Sequence, residues 1–375
     1  MAEPKDRERV LEICLLVPWY GGSHQRWADD LKRFSNHRID IVGLPDRHWK
    51  WRLHGAAVTL AGRLKESGRH YDLILASDMM DVALFRSLLH GSGINCPVAV
   101  YFHENQLGYP LSPLDTDLRE GRDLHYGFIN YTSALAADRV FFNSAWHRDS
   151  FLDELPRFLS RFPDFPNLET VEAIRERSEV LSLGLDLKAL DRHRPLQGED
   201  KERPLLLWNH RWEYDKCPDD WLRLMLELKS AGLDFELALL GQRAGPDPSL
   251  LRDLRRVMGD AIRIDGKVED PAEYAAWLWR ADILPVTSVQ DFFGGSVIEA
   301  VYCGCHPWLP RALAYPEHFP QEAVFYDTGS EALEGLARLI RSGSWREPWP
   351  RSGALFRYDW SQLAPFYDQA FRTMA

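Results

Sequence analysis

Arg211 and Lys216 are separated by four residues in the stretch Asn209-His210-Arg211-Trp212-Glu213-Tyr214-Asp215-Lys216. A guanidinium holds phosphate oxygens through two parallel hydrogen bonds and an ammonium adds a point charge, so the pair suits a diphosphate. A surface ion pair with Glu213 or Asp215 is the alternative use of the same charges. Further along, Asp291-Phe292-Phe293-Gly294-Gly295-Ser296 leads into an apolar helical pattern. Glycines at such a start bring helix N–H groups close to phosphate oxygens. Glu299 falls in the first turns of that helix, within reach of ribose hydroxyls, although a carboxylate there also offsets the helix dipole. Near the N-terminus, Gly21 and Gly22 in Pro18-Trp19-Tyr20-Gly21-Gly22-Ser23-His24 allow a backbone to pass close to a ligand, and a tight turn accounts for them equally well. His103-Glu104-Asn105-Gln106 places four polar residues directly after an apolar run, which is costly unless they face a cleft or form a satisfied network.

These residues need strands behind them. Short apolar runs at 10–17, 39–44, 72–76, 97–102 and 140–142 read as buried strands, with helix-period segments between them. The pattern resumes at 205–208, 235–240, 262–264 and 283–286, with helices expected at 218–231, 271–280 and 295–303. Strands alternating with helices predict parallel, doubly wound sheets, and two such runs predict two Rossmann-like α/β domains. In such sheets ligands bind beyond the carboxyl ends of the strands, where the polar stretches above fall. The expected division is a domain at 1–184, a linker at 185–203 punctuated by Pro195 and Gly198, a second domain at 204–358, and a helix at 359–375. The dinucleotide fingerprint G-x-G-x-x-G is absent.

A chain of 375 residues with 45% hydrophobic and 27% charged residues has the profile of a globular protein large enough for two domains. No run is long enough to span a membrane, and the charged N-terminus leads straight into an apolar strand, so a cytoplasmic protein is expected. The five cysteines are odd in number and scattered, which argues against disulfides. Cys303-Gly304-Cys305 has no companion pair at zinc spacing, and no metal is expected. Net charge is −11, yet residues 21–70 hold ten basic against five acidic side chains, so a polyanion would meet the N-terminal half. There, Arg47-His48-Trp49-Lys50-Trp51-Arg52-Leu53-His54 interleaves cations with aromatics, a pattern that pairs with phosphates and stacks on an unpaired base. Packing of Trp49 and Trp51 beneath a loop is the other reading.

The spacing Arg211-x4-Lys216 followed by Asp291-x7-Glu299 resembles the signature of retaining GT-B glycosyltransferases of the glycogen-synthase-like group. Leu183-Gly184-Leu185-Asp186 resembles that group's interdomain element, and Gly266-Lys267-Val268 its base-contacting segment. A closer resemblance, over about residues 12–325, is to the tRNA-queuosine mannosyltransferase family. It is carried by the stretches from Pro18 to His24, from His48 to Arg52, from Tyr101 to Gln106, from Trp208 to Glu213 and from Glu299 to Cys305.

This resemblance implies a GT-B architecture, two Rossmann-like domains facing a cleft, with the C-terminal helix crossing back to the first. It implies transfer of α-mannose from GDP-mannose to the queuosine base of aspartate tRNA, with retention and without a metal or cofactor. Arg211, Lys216, His103 and Asp291 would be catalytic, the first two on the diphosphate and His103 on the transferred sugar. The donor would also meet Gly21, Gly22, Gly266, Val268, Phe293, Gly294, Gly295, Ser296 and Glu299. The acceptor would meet Ser23, His24, His48, Trp49, Lys50, Trp51, Arg52, Asn105 and Gln106. The broader group usually carries Glu where this chain has Asp291, one methylene shorter. Transfer to a lipid, saccharide or small-molecule acceptor, a GT-B epimerase or hydrolase, and a non-catalytic nucleotide-sugar or RNA-binding module are the competing readings.

Overall fold

Short strands of two to nine residues, the central ones apolar and buried on both faces, form two parallel sheets in a computed structural model that describes residues 9–113, 115–121, 124–196, 201–243, 245, 247–321, 324–350 and 353–375. The chain divides into two compact units, 1–184 with 360–375, and 185–359.

The strands of the first unit are β1 (Glu12–Tyr20), β2 (Arg38–Pro45), β3 (Leu73–Ser77), β4 (Val98–Phe102), β5 (Arg139–Phe142) and β6 (Ser178–Val180), in the order β2-β1-β3-β4-β5-β6. All pairs are parallel. The sequence reading finds the first five within two residues at either end, except the C-terminal end of β1. It misses β6, a three-residue edge strand with no apolar run. Apolar residues alternate to the two faces of the sheet. Cys14, Leu16, Ile74 and Phe102 pack under the helices on one side, and Ile13, Leu15, Leu75 and Tyr101 under those on the other. The C-terminal helix Trp360–Met374 completes the second of these cores, burying Trp360, Tyr367 and Phe371 beside Trp27 of the helix Gly22–Phe34. Each such ring contributes roughly 1.5–3 kcal/mol on burial. The Tyr367 hydroxyl donates to Tyr101 Oη at 3.0 Å, so its polar tip is met inside the core.

The second unit holds β7 (Leu205–Trp208), β8 (Glu236–Leu239), β9 (Ile262–Asp265), β10 (Ile283–Pro285), β11 (His306–Pro310) and β12 (Phe325–Tyr326). Their order, β12-β11-β10-β7-β8-β9, is that of the dinucleotide-binding Rossmann sheet. The helices Pro218–Ser230 and Pro271–Arg280 both start on proline, whose missing N–H costs nothing in a first turn. The stretch expected as a linker contains the short helix Leu187–Asp191, capped by Asp186, while 197–200 lies outside the described residues.

Candidate active site

In the second unit the strand order reverses between β7 and β10, and the chains leaving these two strands carry the polar residues singled out above. Doubly wound sheets bind ligands beyond strand ends at that reversal. After β7, Lys216 is 9% exposed. Its Nζ donates to the Gln290 carbonyl at 2.7 Å and lies 3.4 Å from both Asp215 and Asp291. Arg211 is exposed, and its guanidinium meets Glu213 at 3.3 Å. That is the surface pair left open by the sequence. In high dielectric it is weak enough to yield to a phosphate.

After β10 the chain turns at Gly294, whose φ of 79° lies in the left-handed region. A Cβ there would stand 3.0 Å from the Tyr315 ring, so both conformation and space favour glycine. Asp291 Oδ1 accepts from Gly294 N at 2.9 Å, and the Phe293 carbonyl accepts from His318 Nε2 at 2.7 Å. The helix Gly295–Tyr302 follows, with Gly295 and Ser296 half-buried at its start, where N–H groups have no intrahelical partner. Glu299 is nearly buried, and Oε2 accepts from the Tyr274 hydroxyl at 3.1 Å. The Phe293 ring packs edge-on to His318 and Tyr358, forming a wedge beneath the turn.

Electrostatics follow from this packing. Burial and the neighbouring Lys216 push His210 down to about 3, so its ring is neutral near pH 7, with Nδ1 3.2 Å from Ser296 Oγ. Burial alone would raise Asp291, but the Lys216 charge and the hydrogen bond from the Tyr315 hydroxyl outweigh it and hold the carboxyl below its usual range. Asn209 donates to the Ser296 carbonyl at 2.9 Å, bracing the helix start from the β7 side. Beyond β9, the Gly266 N–H continues the ladder to Leu239, Val268 is half-buried, and Lys267 pairs with Glu269.

In the first unit the order turns between β1 and β3. Gly21 is buried against Asp46, Gly22 opens the helix after β1, and Ser23 is exposed. The His24 ring lies 4.3 Å from that of His103, which Trp27 meets edge-on at 4.5 Å. Main-chain bonds clamp His103: its N–H donates to Asp78 Oδ1 at 3.0 Å and its carbonyl accepts from Asn143 Nδ2 at 2.8 Å. That bond leaves Asn143 Oδ1 as an acceptor, so neutral His147 carries its proton on Nδ1, 2.8 Å away. Burial, reinforced by His24 and His147, keeps His103 neutral. Its Nε2 makes no hydrogen bond within the described residues. Burial and the adjacent Glu104 raise the Asp78 carboxyl well above its usual range. Asn105 Oδ1 accepts from the N–H groups of Leu107 and Gly108, and the Gln106 N–H is held by Asn130, so both shape the turn after β4.

The segment 47–54 is mostly helix. His48, at φ 59°, precedes the helix Trp49–Ser67. Lys50 is ion-paired with Asp115 and Asp117, so its charge is met within the protein. Arg52 turns back to the Pro45 carbonyl at 3.0 Å. Trp49 packs on Tyr126 beside Leu53 and Ile129, as the packing alternative has it. Trp51 is 64% exposed, its indole lying where a Cβ at Gly55 would otherwise fall. Arg47 and His48 are exposed next to it.

Tyr274, Tyr315, His318, Asp78, Asn143 and His147 were not among the residues anticipated. Asp78 and Asn143 follow β3 and β5, a strand-end signal that was readable, whereas Tyr315 and His318 reach the glycine turn only through the fold. Among the described residues no group of three or more His, Cys, Asp or Glu is placed to hold a metal ion, and no helix is long and apolar enough to cross a membrane.

Sucrose-phosphate synthase from Thermosynechococcus elongatus shares the architecture with a TM-score of 0.69 at 15% identity, covering 96% of this chain and 98% of the other. α,α-Trehalose 6-phosphate synthase from Burkholderia multivorans gives 0.66 at 14% identity, covering 97% of each. Two parallel Rossmann-like units of this kind are the GT-B architecture. A family model described as tRNA-queuosine alpha-mannosyltransferase N-terminal matches residues 12–185. A Drosophila melanogaster tRNA-queuosine alpha-mannosyltransferase is 32% identical over 336 residues, 88% of this chain and 87% of that protein. The chain belongs to the tRNA-queuosine alpha-mannosyltransferase family.

Proposed function

We propose that this glycosyltransferase moves mannose from GDP-mannose onto the queuosine base in the anticodon loop of aspartate tRNA, in the cytosol, with retention and without a metal. The observation that carries the reading is the buried Lys216 ammonium beside the glycine-led helix start at the β7/β10 reversal, a cationic seat for a diphosphate. Family membership supports the acceptor and the sugar.

In this mechanism the bond between mannose C1 and the β-phosphate oxygen breaks as a hydroxyl of the queuosine cyclopentenediol attacks C1 from the same face. The hydroxyl proton passes to the departing β-phosphate, GDP leaves, and the new C1–O bond keeps the α configuration. Arg211, Lys216 and the N–H groups of Gly295 and Ser296 stabilise the charge growing on the leaving diphosphate. Glu299 receives ribose hydroxyls, and Gly266 to Val268 line the base. Incubation with GDP-mannose and queuosine-containing tRNA should add one hexose mass to the queuosine nucleoside, with an α-anomeric proton by NMR. A β linkage, or hexose gained only from a UDP-sugar, would refute the reading.

A further inference from the structure

Asp291 occupies the position where the broader group of enzymes usually carries Glu, and its surroundings point to a different use. Both carboxylate oxygens are engaged by the protein. Oδ1 accepts from Gly294 N at 2.9 Å, and Oδ2 accepts from the Tyr315 hydroxyl at 3.1 Å and lies 3.4 Å from Lys216 Nζ. The side chain is 15% exposed, and Tyr315 is fully buried. A bond from a side-chain oxygen to the N–H three residues on has the reach of a capping carboxylate, which suits Asp and which a further methylene would push out of register. The turn so held is the left-handed one at Gly294 that opens the helix Gly295–Tyr302. The same carboxylate pairs with the ammonium that Gln290 also holds. One buried group thus sets both parts of the phosphate seat.

We propose that Asp291 is a positioning residue for the diphosphate, holding Lys216 and the glycine turn, and that the transferred sugar is gripped by other side chains. This rests on reading residues 209–216 and 291–296 as the seat of the donor diphosphate. The consequence separates two parts of the donor. A carboxylate that contacts the sugar matters only to the sugar nucleotide, whereas one that shapes the phosphate seat matters equally to the bare diphosphate.

Calorimetric titration of wild type, Asp291→Asn, Asp291→Glu and Tyr315→Phe with GDP and with GDP-mannose distinguishes them. Asp291→Glu and Asp291→Asn should each weaken GDP by about tenfold or more, as expected for losing hydrogen bonds to a charged group. Tyr315→Phe, which deletes one buried hydroxyl that cannot touch the donor, should weaken GDP by about threefold. In all three the ratio of GDP-mannose to GDP affinity should stay at the wild-type value. A variant that fails to fold lowers the binding stoichiometry rather than the affinity of the folded fraction, and Tyr315→Phe then carries the test. Wild-type GDP affinity in every folded variant, with the loss confined to the GDP-mannose ratio, would overturn the proposal. Failure of wild type itself to bind GDP would instead overturn the reading of the site on which the proposal stands.

Discussion

The Lys216 ammonium donates to the main-chain carbonyl of Gln290 at 2.7 Å, joining the loop after β7 to the loop after β10 across the strand-order reversal. Two further main-chain bonds, from Val289 and Gln290 N–H to the Asp215 carbonyl, run alongside it. The cation is therefore fixed by the protein itself, so the proposed diphosphate would need little reorganisation of it on binding.

Lys216→Ala should cost about 2–5 kcal/mol of GDP binding, because it leaves the buried acids around it without their partner and removes the phosphate charge. Lys216→Arg should not restore it, since a forked guanidinium does not fit a slot shaped around a point charge. Arg211→Ala should cost less, about 1.5–3 kcal/mol, because that side chain is exposed until it meets the ligand. Calorimetry with GDP checks all three, and equal losses at the two positions would contradict the distinction.

Acid should destabilise the second unit through His210. Its folded pKa is about 3 against about 6.5 for a free histidine, so below the unfolded value the unfolded chain binds the extra proton. The stability tied to the neutral ring is present above about pH 6.5 and is lost progressively as pH falls toward 3, at up to ~1.4 kcal/mol per pH unit. Urea titrations of wild type and His210→Gln between pH 7 and 5 check this. The variant should show the shallower pH slope, and parallel slopes would count against the assignment.

Activity should survive EDTA. In the proposed seat, Lys216, Arg211 and the helix start would supply the positive charge that a divalent cation otherwise brings to a diphosphate. Initial rates in excess chelator should match those in added Mg²⁺ or Mn²⁺, and a loss restored by either ion would contradict a metal-free seat.

The basic-aromatic segment separates into parts with different expected effects. Trp51→Ala should weaken tRNA binding by about 1–3 kcal/mol if a base stacks on the exposed indole. Arg47→Ala should lower the salt slope of binding by about one phosphate contact. Lys50→Ala should leave that slope unchanged and instead lower thermal stability, because its charge is committed to Asp115 and Asp117. A salt slope reduced by Lys50→Ala would mean that the pair opens for RNA.

Much of this organisation was legible in the chain. Parallel strands buried on both faces are runs of apolar residues, so most of the twelve strands among the described residues could be placed from short apolar stretches such as Leu205–Trp208. Strand-end polar stretches then marked Arg211, Lys216, Asp291 and His103. Short edge strands such as Phe325–Tyr326 carry too few residues for a pattern. The helix at Trp49 was read for its composition, and the partners that neutralise Lys50 lie more than sixty residues away, beyond any local signal. For the same reason the supports of the glycine turn, Tyr315 and His318, were invisible until the fold brought them to Asp291 and Phe293.

Wild-type protein should be incubated with GDP-mannose radiolabelled in the sugar and with two preparations of the same aspartate tRNA, one carrying queuosine and one carrying guanosine at that position. The account predicts label in the queuosine-containing tRNA alone, in a reaction that survives EDTA and falls with Lys216→Ala. Label appearing equally in both tRNAs, or in neither while a lipid or saccharide is glycosylated, would contradict it.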